Sequence, residues 1–147
     1  MKKISELVLS DYPFKTFDKV RYRDTDRQGH VNNAVFAQFL ETGRVEILYN
    51  SKNELLSSNC SFVIAKVNTS LISEINWPGI VDVGTGITKI GNSSINIIQS
   101  LYQNNKLVAT SETVFVQMDE LTRKSSPLTQ KAKQYLSSLL IEIEVEQ

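Results

Sequence analysis

The strongest pattern along the chain is an apolar stripe with helical spacing. Between Ala34 and Tyr49, large apolar residues recur every three or four positions around Gly43, namely Phe36, Phe39, Leu40, Ile47 and Leu48. This spacing predicts a helix over residues 34–49 with one buried face. Because a mid-helix glycine costs roughly 1 kcal/mol of helix propensity, Gly43 indicates a close approach to another element. Asn32 or Asn33 can cap the first turn with its amide oxygen.

On either side of this helix the period of the pattern changes to two, which is typical of half-buried strands. The predicted strands are Phe14–Arg23, Phe62–Ile75, Ile80–Ile90, Ser94–Gln103 and Lys106–Met118. Asn104 and Asn105 form a two-residue hairpin signal, so the last three strands should form an antiparallel meander. A second helix is predicted after them, with Ser126 as its cap and Pro127 in its first position.

This order of elements predicts an α+β fold. One helix cannot bury both faces of a five-stranded sheet, so we expect the sheet to wrap around the long helix and another subunit to cover the rest. Residues 1–13 are predicted to form a short helical or irregular lead. The tail after Leu140 alternates apolar and acidic residues up to Glu146, and its order is left open.

Composition excludes several classes of function. The chain has 147 residues, sixteen basic and sixteen acidic side chains, and one cysteine, Cys60. Balanced charge gives no reason to expect nucleic acid or a membrane surface as a partner. A lone cysteine cannot form an internal disulfide, which fits a reducing compartment. Since no segment approaches the roughly 18 apolar residues of a membrane span and no signal peptide is evident, we expect a cytoplasmic protein.

Candidate chemistry is concentrated in the loop that precedes the long helix. Residues 23–33 contain two carboxylates, a glycine, the only histidine and two asparagines, namely Asp24, Asp26, Gly29, His30, Asn32 and Asn33. A polar loop that enters a buried helix places carboxylates beside unpaired backbone N–H groups, where a carbonyl group can be polarised. Metal binding is not expected, because there is no second histidine and Cys60 lies far along the chain.

Several of these residues also have a purely structural explanation. Asp26 could cap the helix or hold the loop by local hydrogen bonds, Asp24 is more simply explained in that way, and His30 could order the turn. Glu41 and Arg44, three residues apart, are expected to form an ion pair on the helix. A place for Glu41 near a dimer interface is the alternative.

Three segments together resemble a known family: Tyr22-Arg23-Asp24-Thr25-Asp26, Gly29-His30-Val31-Asn32-Asn33, and Glu41 with Arg44. They are similar to the hotdog-fold acyl-CoA thioesterases of the 4-hydroxybenzoyl-CoA thioesterase-like group, and the resemblance spans nearly the whole chain. It implies a single hotdog domain over residues 1–147, with a five-stranded antiparallel sheet wrapped around a long central helix and a C-terminal helix. It also implies a homodimer, which in this group often pairs into a homotetramer.

The same resemblance implies hydrolysis of an acyl-CoA or acyl-carrier-protein thioester to a free acid and a thiol, without a cofactor. Asp26 matches the catalytic carboxylate, as nucleophile or as general base on water. A backbone N–H near Asn33 matches the group that polarises the carbonyl. The implied substrate-positioning residues are His30, Val31, Asn32 and Asn33. The implied supporting residues are Asp24, Gly29 and Glu41.

Two other functions are compatible with the same fold. A hotdog hydratase or dehydratase typically has an Asp and a His that enclose four residues, whereas Asp26 and His30 enclose three and Asp24 and His30 enclose five. A non-catalytic acyl-thioester binding module would not need the Asp-x-Asp and Gly-His-Val-Asn-Asn segments, which packing alone does not require. Both observations favour hydrolysis, and the identity of the acyl group is left open.

Overall fold

The computed structural model describes residues 1–27, 29–50 and 52–145. Gln28 in the polar loop, Ser51, and Glu146 and Gln147 at the end of the tail lie outside the described residues. Within the described ranges the elements are β1 Phe14–Val20, α1 Asn33–Leu48, β2 Cys60–Leu71, β3 Gly79–Ile90, β4 Ser94–Gln103, β5 Lys106–Asp119 and α2 Gln130–Ser137. None of the helices in these ranges is long and apolar enough to cross a bilayer.

The described strands form one antiparallel sheet in the order β1-β3-β4-β5-β2. The central strands β3, β4 and β5 are neighbours in sequence as well as in space, which confirms the predicted meander. At the β4–β5 turn, Asn104 and Asn105 have φ angles of 52° and 64°, and positive values at both positions are what a type I′ hairpin requires. Strands β1 and β2 are the two edges of the sheet.

Helix α1 packs across β1, β3 and β4 with its apolar stripe buried. The helix approaches the sheet closely at Gly43, where a Cβ atom would lie 2.7 Å from Oγ1 of Thr85 and 2.8 Å from Nε2 of Gln99. The backbone of α1 therefore lies directly against the sheet at this point. This confirms both the prediction from Gly43 and the predicted arrangement of a long helix enclosed by an antiparallel sheet.

The face of the sheet opposite α1, called here the outer face, is covered in part by the two ends of the chain. The ring of Tyr12 occupies the space beside Gly84, and Ile141 occupies the space beside Gly86, where a Cβ would lie 2.5 Å from Cγ2 of Ile141. The hydroxyl groups of Tyr12 and Ser100 share a hydrogen bond of 2.5 Å. The sequence pattern predicts that another subunit covers the rest of the sheet. The structure shows in addition that two glycines of β3 leave space in which residues from the two ends of the chain pack.

Replacing Gly84 with valine is expected to release the N-terminal segment, because the added carbons would occupy the space of the Tyr12 ring. Overpacking of this kind costs on the order of 1–3 kcal/mol. Limited proteolysis with mass spectrometry should show cleavage within residues 1–13 of the variant under conditions that leave the wild type intact. Lys89→Val, at an exposed position of β3, is the control. Equal resistance of Gly84→Val and the wild type would contradict the docking of Tyr12.

The predicted end of β1 at Arg23 is wrong, since the strand ends at Val20. The side chain of Asp24 accepts a hydrogen bond of 2.8 Å from the backbone N–H of Arg21, and residues 22–24 form a 3-10 turn. This local side-chain bond takes the chain out of the extended conformation three residues early.

The predicted end of β2 at Ile75 is also wrong, since the strand ends at Leu71. The N–H groups of Ile72 and Ser73 both donate to the carbonyl of Val108, at 2.9 and 3.1 Å. Two successive donors on one carbonyl end the regular ladder, and the segment that follows β2 then pairs with the polar loop before α1.

Helix α2 begins three residues later than predicted, at Gln130. The backbone N–H of Ser126, the predicted cap, donates to the carbonyl of Gln117 in β5 at 2.8 Å. This bond holds the segment against the sheet. Thr129 is the actual cap, and its Oγ1 accepts from the N–H of Ala132 at 3.0 Å.

Candidate functional site

The loop before α1 is folded into a narrow hairpin by backbone hydrogen bonds. Thr25 and Val31 form an antiparallel bridge, and the N–H of Asp26 donates to the carbonyl of His30 at 2.8 Å. Gly29 has a φ of +80°, a conformation that glycine adopts without the strain of a side chain. The hairpin places Asp26 alongside the residues that open α1.

Long-range bonds fix this hairpin against the segment that follows β2. The N–H of Val31 donates to the carbonyl of Ile75 at 2.8 Å, and His30 forms an antiparallel bridge with Asn76. Val31 and Ile75 belong to one buried apolar cluster. The position of the loop is therefore set by the core as well as by its own turn.

The N-terminus of α1 presents a backbone donor next to the hairpin. Asn32 is the cap, and its Oδ1 accepts from the N–H of Ala34 at 2.9 Å. Its carbonyl accepts from the N–H of Val35, also at 2.9 Å. Among the described residues no acceptor is bonded to the N–H of Asn33. This N–H lies at the positive end of the helix dipole and is available to a ligand.

The hairpin and the start of α1 form one side of a cleft of about 400 Å³. The sequence-predicted residues on this side are Asp26, His30, Val31 and Asn33, with Phe36 beside them. The opposite side is made by the end of β2 and the residues after it, namely Leu71, Ile72, Ser73 and Glu74. An aspartate and the first residue of a helix that line one cleft are suited to attack on a polarised carbonyl group.

Glu74 is a cleft residue that the sequence did not reveal. Its Oε2 lies 3.0 Å from Nε2 of His30, and the two side chains are 53% and 38% exposed. The contact orients the imidazole at the edge of the cleft. No sequence signal could have identified Glu74, which is one of sixteen acidic residues and falls inside a segment predicted to be strand.

Four other predicted site residues do not line this cleft, namely Asp24, Gly29, Asn32 and Glu41. Gly29 forms the turn of the hairpin. Asp24 is 5% exposed, and it lines a separate depression together with the exposed Glu41 of α1. Asn32 is exposed and caps the helix. The structure thus brings Asp26 and the start of α1 together and leaves Asp24 and Glu41 apart from them.

The expected ion pair between Glu41 and Arg44 is not formed within the described residues. Arg44 is 6% exposed and reaches into the core. Its Nη1 donates to Oε1 of Gln99 at 3.4 Å, and its guanidinium carbon lies 5.6 Å from the centroid of the Phe115 ring. Burial lowers the pKa of Arg44 below its ordinary value, and the charge of Glu41 acts in the opposite direction.

Comparisons with known proteins bear on this cleft. The family model of the thioesterase-like superfamily matches residues 20–136. The acyl-CoA thioester hydrolase YbgC of Escherichia coli O6:H1 is 27% identical over 114 residues, which cover 75% of this chain and 85% of that protein. A predicted thioesterase from Bacillus stearothermophilus is 27% identical, with a TM-score of 0.81 over 89% of this chain and 98% of that one.

A thioesterase from Thermus thermophilus, solved as a complex with coenzyme A and Zn, is 25% identical, with a TM-score of 0.74 over 88% of this chain and 95% of that one. The family match begins at the last residue of β1 and ends within α2, so it contains the whole polar loop. These similarities confirm the hotdog fold and the family that the loop motif resembles. The chain therefore belongs to the thioesterase-like superfamily and is a thioesterase of the hotdog fold.

Proposed function

We propose that this protein hydrolyses an acyl-CoA thioester to a free acid and coenzyme A, with Asp26 as the catalytic carboxylate. The observation that carries the proposal is that Asp26 and the first residue of α1, Asn33, line one cleft. Coenzyme A as carrier is supported by the name of the E. coli relative and by the complex of the T. thermophilus relative. An acyl-carrier-protein thioester presents the same reacting group and is the alternative carrier.

The proposed chemistry uses residues of the chain alone. The thioester carbonyl oxygen accepts a hydrogen bond from the N–H of Asn33, where the helix dipole also stabilises the negative charge that develops. Asp26 then acts in one of two ways. It attacks the carbonyl carbon, expelling the thiolate to leave a mixed anhydride that water hydrolyses. Alternatively, it takes a proton from a water molecule that attacks the same carbon, and the tetrahedral intermediate expels the thiolate.

The other predicted residues of the loop and of α1 are proposed to position the substrate or to support the site. The positioning residues are His30, Val31, Asn32 and Asn33. The supporting residues are Asp24, Gly29 and Glu41. The contact between His30 and Glu74 fixes the imidazole on one side of the cleft, which fits a positioning role.

We also propose that the active form is a homodimer built along the edge strand β2. This strand is 12 residues long, and Val67 and Leu71 in it are 56% and 48% exposed. A long, apolar, unpaired edge is a template for pairing with another chain. Because Leu71 also lines the cleft, a partner at this edge would help to enclose the substrate. Sedimentation should give twice the chain mass of 16.6 kDa or a higher multiple, and a monomer would contradict the proposal.

The experiment that tests the function is thiol release from a panel of thioesters. The panel contains short, long and aromatic acyl-CoA esters and one acyl-carrier-protein ester. We expect turnover of at least one CoA ester, with free acid and free thiol in equal amounts. Binding of a thioester without turnover would support a binding module instead. A hydrated acyl thioester as product, detected by mass spectrometry, would identify a hydratase.

The two helix caps provide a matched test of the role of α1. Asn32→Ala and Thr129→Ala should each lower the free energy of unfolding by about 1 kcal/mol. Only Asn32→Ala should lower kcat, by roughly 10- to 100-fold, because it loosens the turn that carries the N–H of Asn33. Thermal unfolding and kcat are measured for both variants. Equal kcat values in the two variants would contradict the role of the α1 N-terminus.

A further inference from the structure

A row of polar side chains crosses the helix-facing side of the sheet. It contains one residue from each of β3, β4, β5 and β2, and these residues lie opposite one another on neighbouring strands. They are Thr85, Gln99, Ser111 and Thr69. Nε2 of Gln99 donates to the carbonyl of Leu40 in α1 at 2.8 Å, and the hydroxyl groups of Thr69 and Ser111 share a bond of 2.9 Å. The row separates two apolar clusters, one at each end of α1. It ends on the edge strand that forms a side of the proposed active-site cleft.

The path from the cleft to this row follows β2. Leu71 lines the cleft and pairs with Ala109, a residue of the apolar cluster under α1, so its side chain faces the helix side. Thr69 and Val67 follow on the same face, because side chains two residues apart in a strand share a face, about 7 Å apart. An acyl chain that continues along β2 therefore meets Thr69 after about 7 Å and Val67 after about 14 Å.

Two buried polar side chains near the far end of this path have too few partners. Thr113 pairs with Val67 and is 1% exposed, and its Oγ1 has no hydrogen-bond partner within the described residues. Arg44 is 6% exposed and, in the same part of the chain, its one side-chain acceptor is Gln99 at 3.4 Å. A guanidinium group has five N–H donors, and buried polar groups in folded proteins are nearly always bonded.

The strand register places these two residues close to each other. Arg44 reaches from Gln99 on β4 to the ring of Phe115 on β5. In the β4–β5 register Gln99 lies opposite Ser111, so Thr113 lies between these two contacts on the same face of β5. A buried cation without a carboxylate partner is costly, and the hydroxyl beside it is an unused donor. The pair is thus suited to receive an anion.

We propose that Arg44 and Thr113 form the far end of the acyl-binding path and bind a carboxylate at the end of the acyl chain. The substrates are then acyl thioesters with a terminal carboxylate. This inference rests on the proposed thioester hydrolysis, since the path begins at the cleft. At roughly 1.2 Å per bond of an extended chain, the path of about 14 Å holds about twelve bonds. The methylene groups pack on Leu71 and Val67, and the carboxylate accepts from the guanidinium and from the Thr113 hydroxyl.

The test compares kcat/KM for pairs of CoA thioesters of equal chain length, one ending in a methyl group and the other in a carboxylate. For the wild type, kcat/KM is expected to be about tenfold or more higher for the carboxylate ester than for the methyl ester. The reason is that hydrogen bonds to a charged group stabilise the bound carboxylate by that amount. Thr113→Val should lower the ratio of kcat/KM for the carboxylate ester to kcat/KM for the methyl ester by roughly tenfold. Thr110→Val makes the same change on the opposite face of β5, so it should leave the ratio unaltered.

Arg44→Met removes the charge and should abolish the preference, and its folding is checked by thermal unfolding. Affinity for both esters, measured by calorimetry, keeps the test independent of turnover. A wild type that hydrolyses or binds the methyl ester equally well overturns the inference, as does an unchanged ratio in Thr113→Val. Absence of hydrolysis of either ester counts against the proposed function, and in that case equal affinities overturn this inference as well.

Discussion

Asp26→Asn is expected to lower kcat for thioester hydrolysis by roughly 10²–10⁴-fold in a protein that remains folded. Asparagine has the size of aspartate and can still accept local hydrogen bonds, but it is neither a base nor a nucleophile at neutral pH. The backbone bond from Asp26 to His30 that closes the hairpin does not involve the side chain, so the loop keeps its shape. The measurement is kcat and KM for thiol release, with circular dichroism to verify folding.

The matched control is Asp82→Asn, which makes the same chemical change on β3, away from the residues that line the cleft. Its kcat should equal that of the wild type. An Asp26→Asn variant with unchanged kcat would remove Asp26 from the mechanism. The search for the catalytic group would then turn to the paired side chains of His30 and Glu74.

Gly43→Val is expected to lower the free energy of unfolding by on the order of 3 kcal/mol or more. A Cβ at this position would lie within 2.8 Å of three sheet side-chain atoms, those of Val83, Thr85 and Gln99. On an exposed helix surface, removing a glycine gains helix propensity, so the structure predicts the opposite sign here. Because domains are stable by only about 5–15 kcal/mol, the loss is a large fraction of the total. Urea unfolding followed by circular dichroism gives the value.

Ala37→Val adds a branched side chain at an exposed position of the same helix and serves as the control. Its cost should be limited to the loss of helix propensity, well below about 1 kcal/mol. A Gly43→Val variant as stable as Ala37→Val would mean that α1 does not touch the sheet at this residue.

The parts of the fold that could be predicted are those encoded by local pattern. The stripe of α1 and the paired asparagines of the β4–β5 turn depend on neighbouring residues, and both are confirmed by the structure. The ends of β1 and β2 depend on a few specific bonds, the one from Arg21 to Asp24 and the two from Ile72 and Ser73 to Val108. Such bonds do not change the periodic pattern of apolar residues, so the predicted ends of these two strands were wrong.

The candidate site also has one side that could be predicted from the sequence and one side that could not. Asp26, His30 and Asn33 could be predicted as a group because one short hairpin carries them into the cleft. The opposite side, which contains Leu71 and Glu74, depends on where β2 ends and how the chain returns to the loop. That geometry is set by sheet pairing, which the sequence pattern does not specify at this level of detail.

A crystal structure with a CoA analogue whose thioester sulfur is replaced by a methylene group would test the central claim most directly. The analogue keeps the carbonyl group but cannot be hydrolysed. We predict that its carbonyl oxygen accepts a hydrogen bond of about 2.7–3.1 Å from the N–H of Asn33. The Asp26 carboxylate should lie about 3–3.5 Å from the carbonyl carbon, or one water molecule away. A carbonyl group bound outside this cleft, or with its oxygen directed away from α1, would contradict the proposed mechanism.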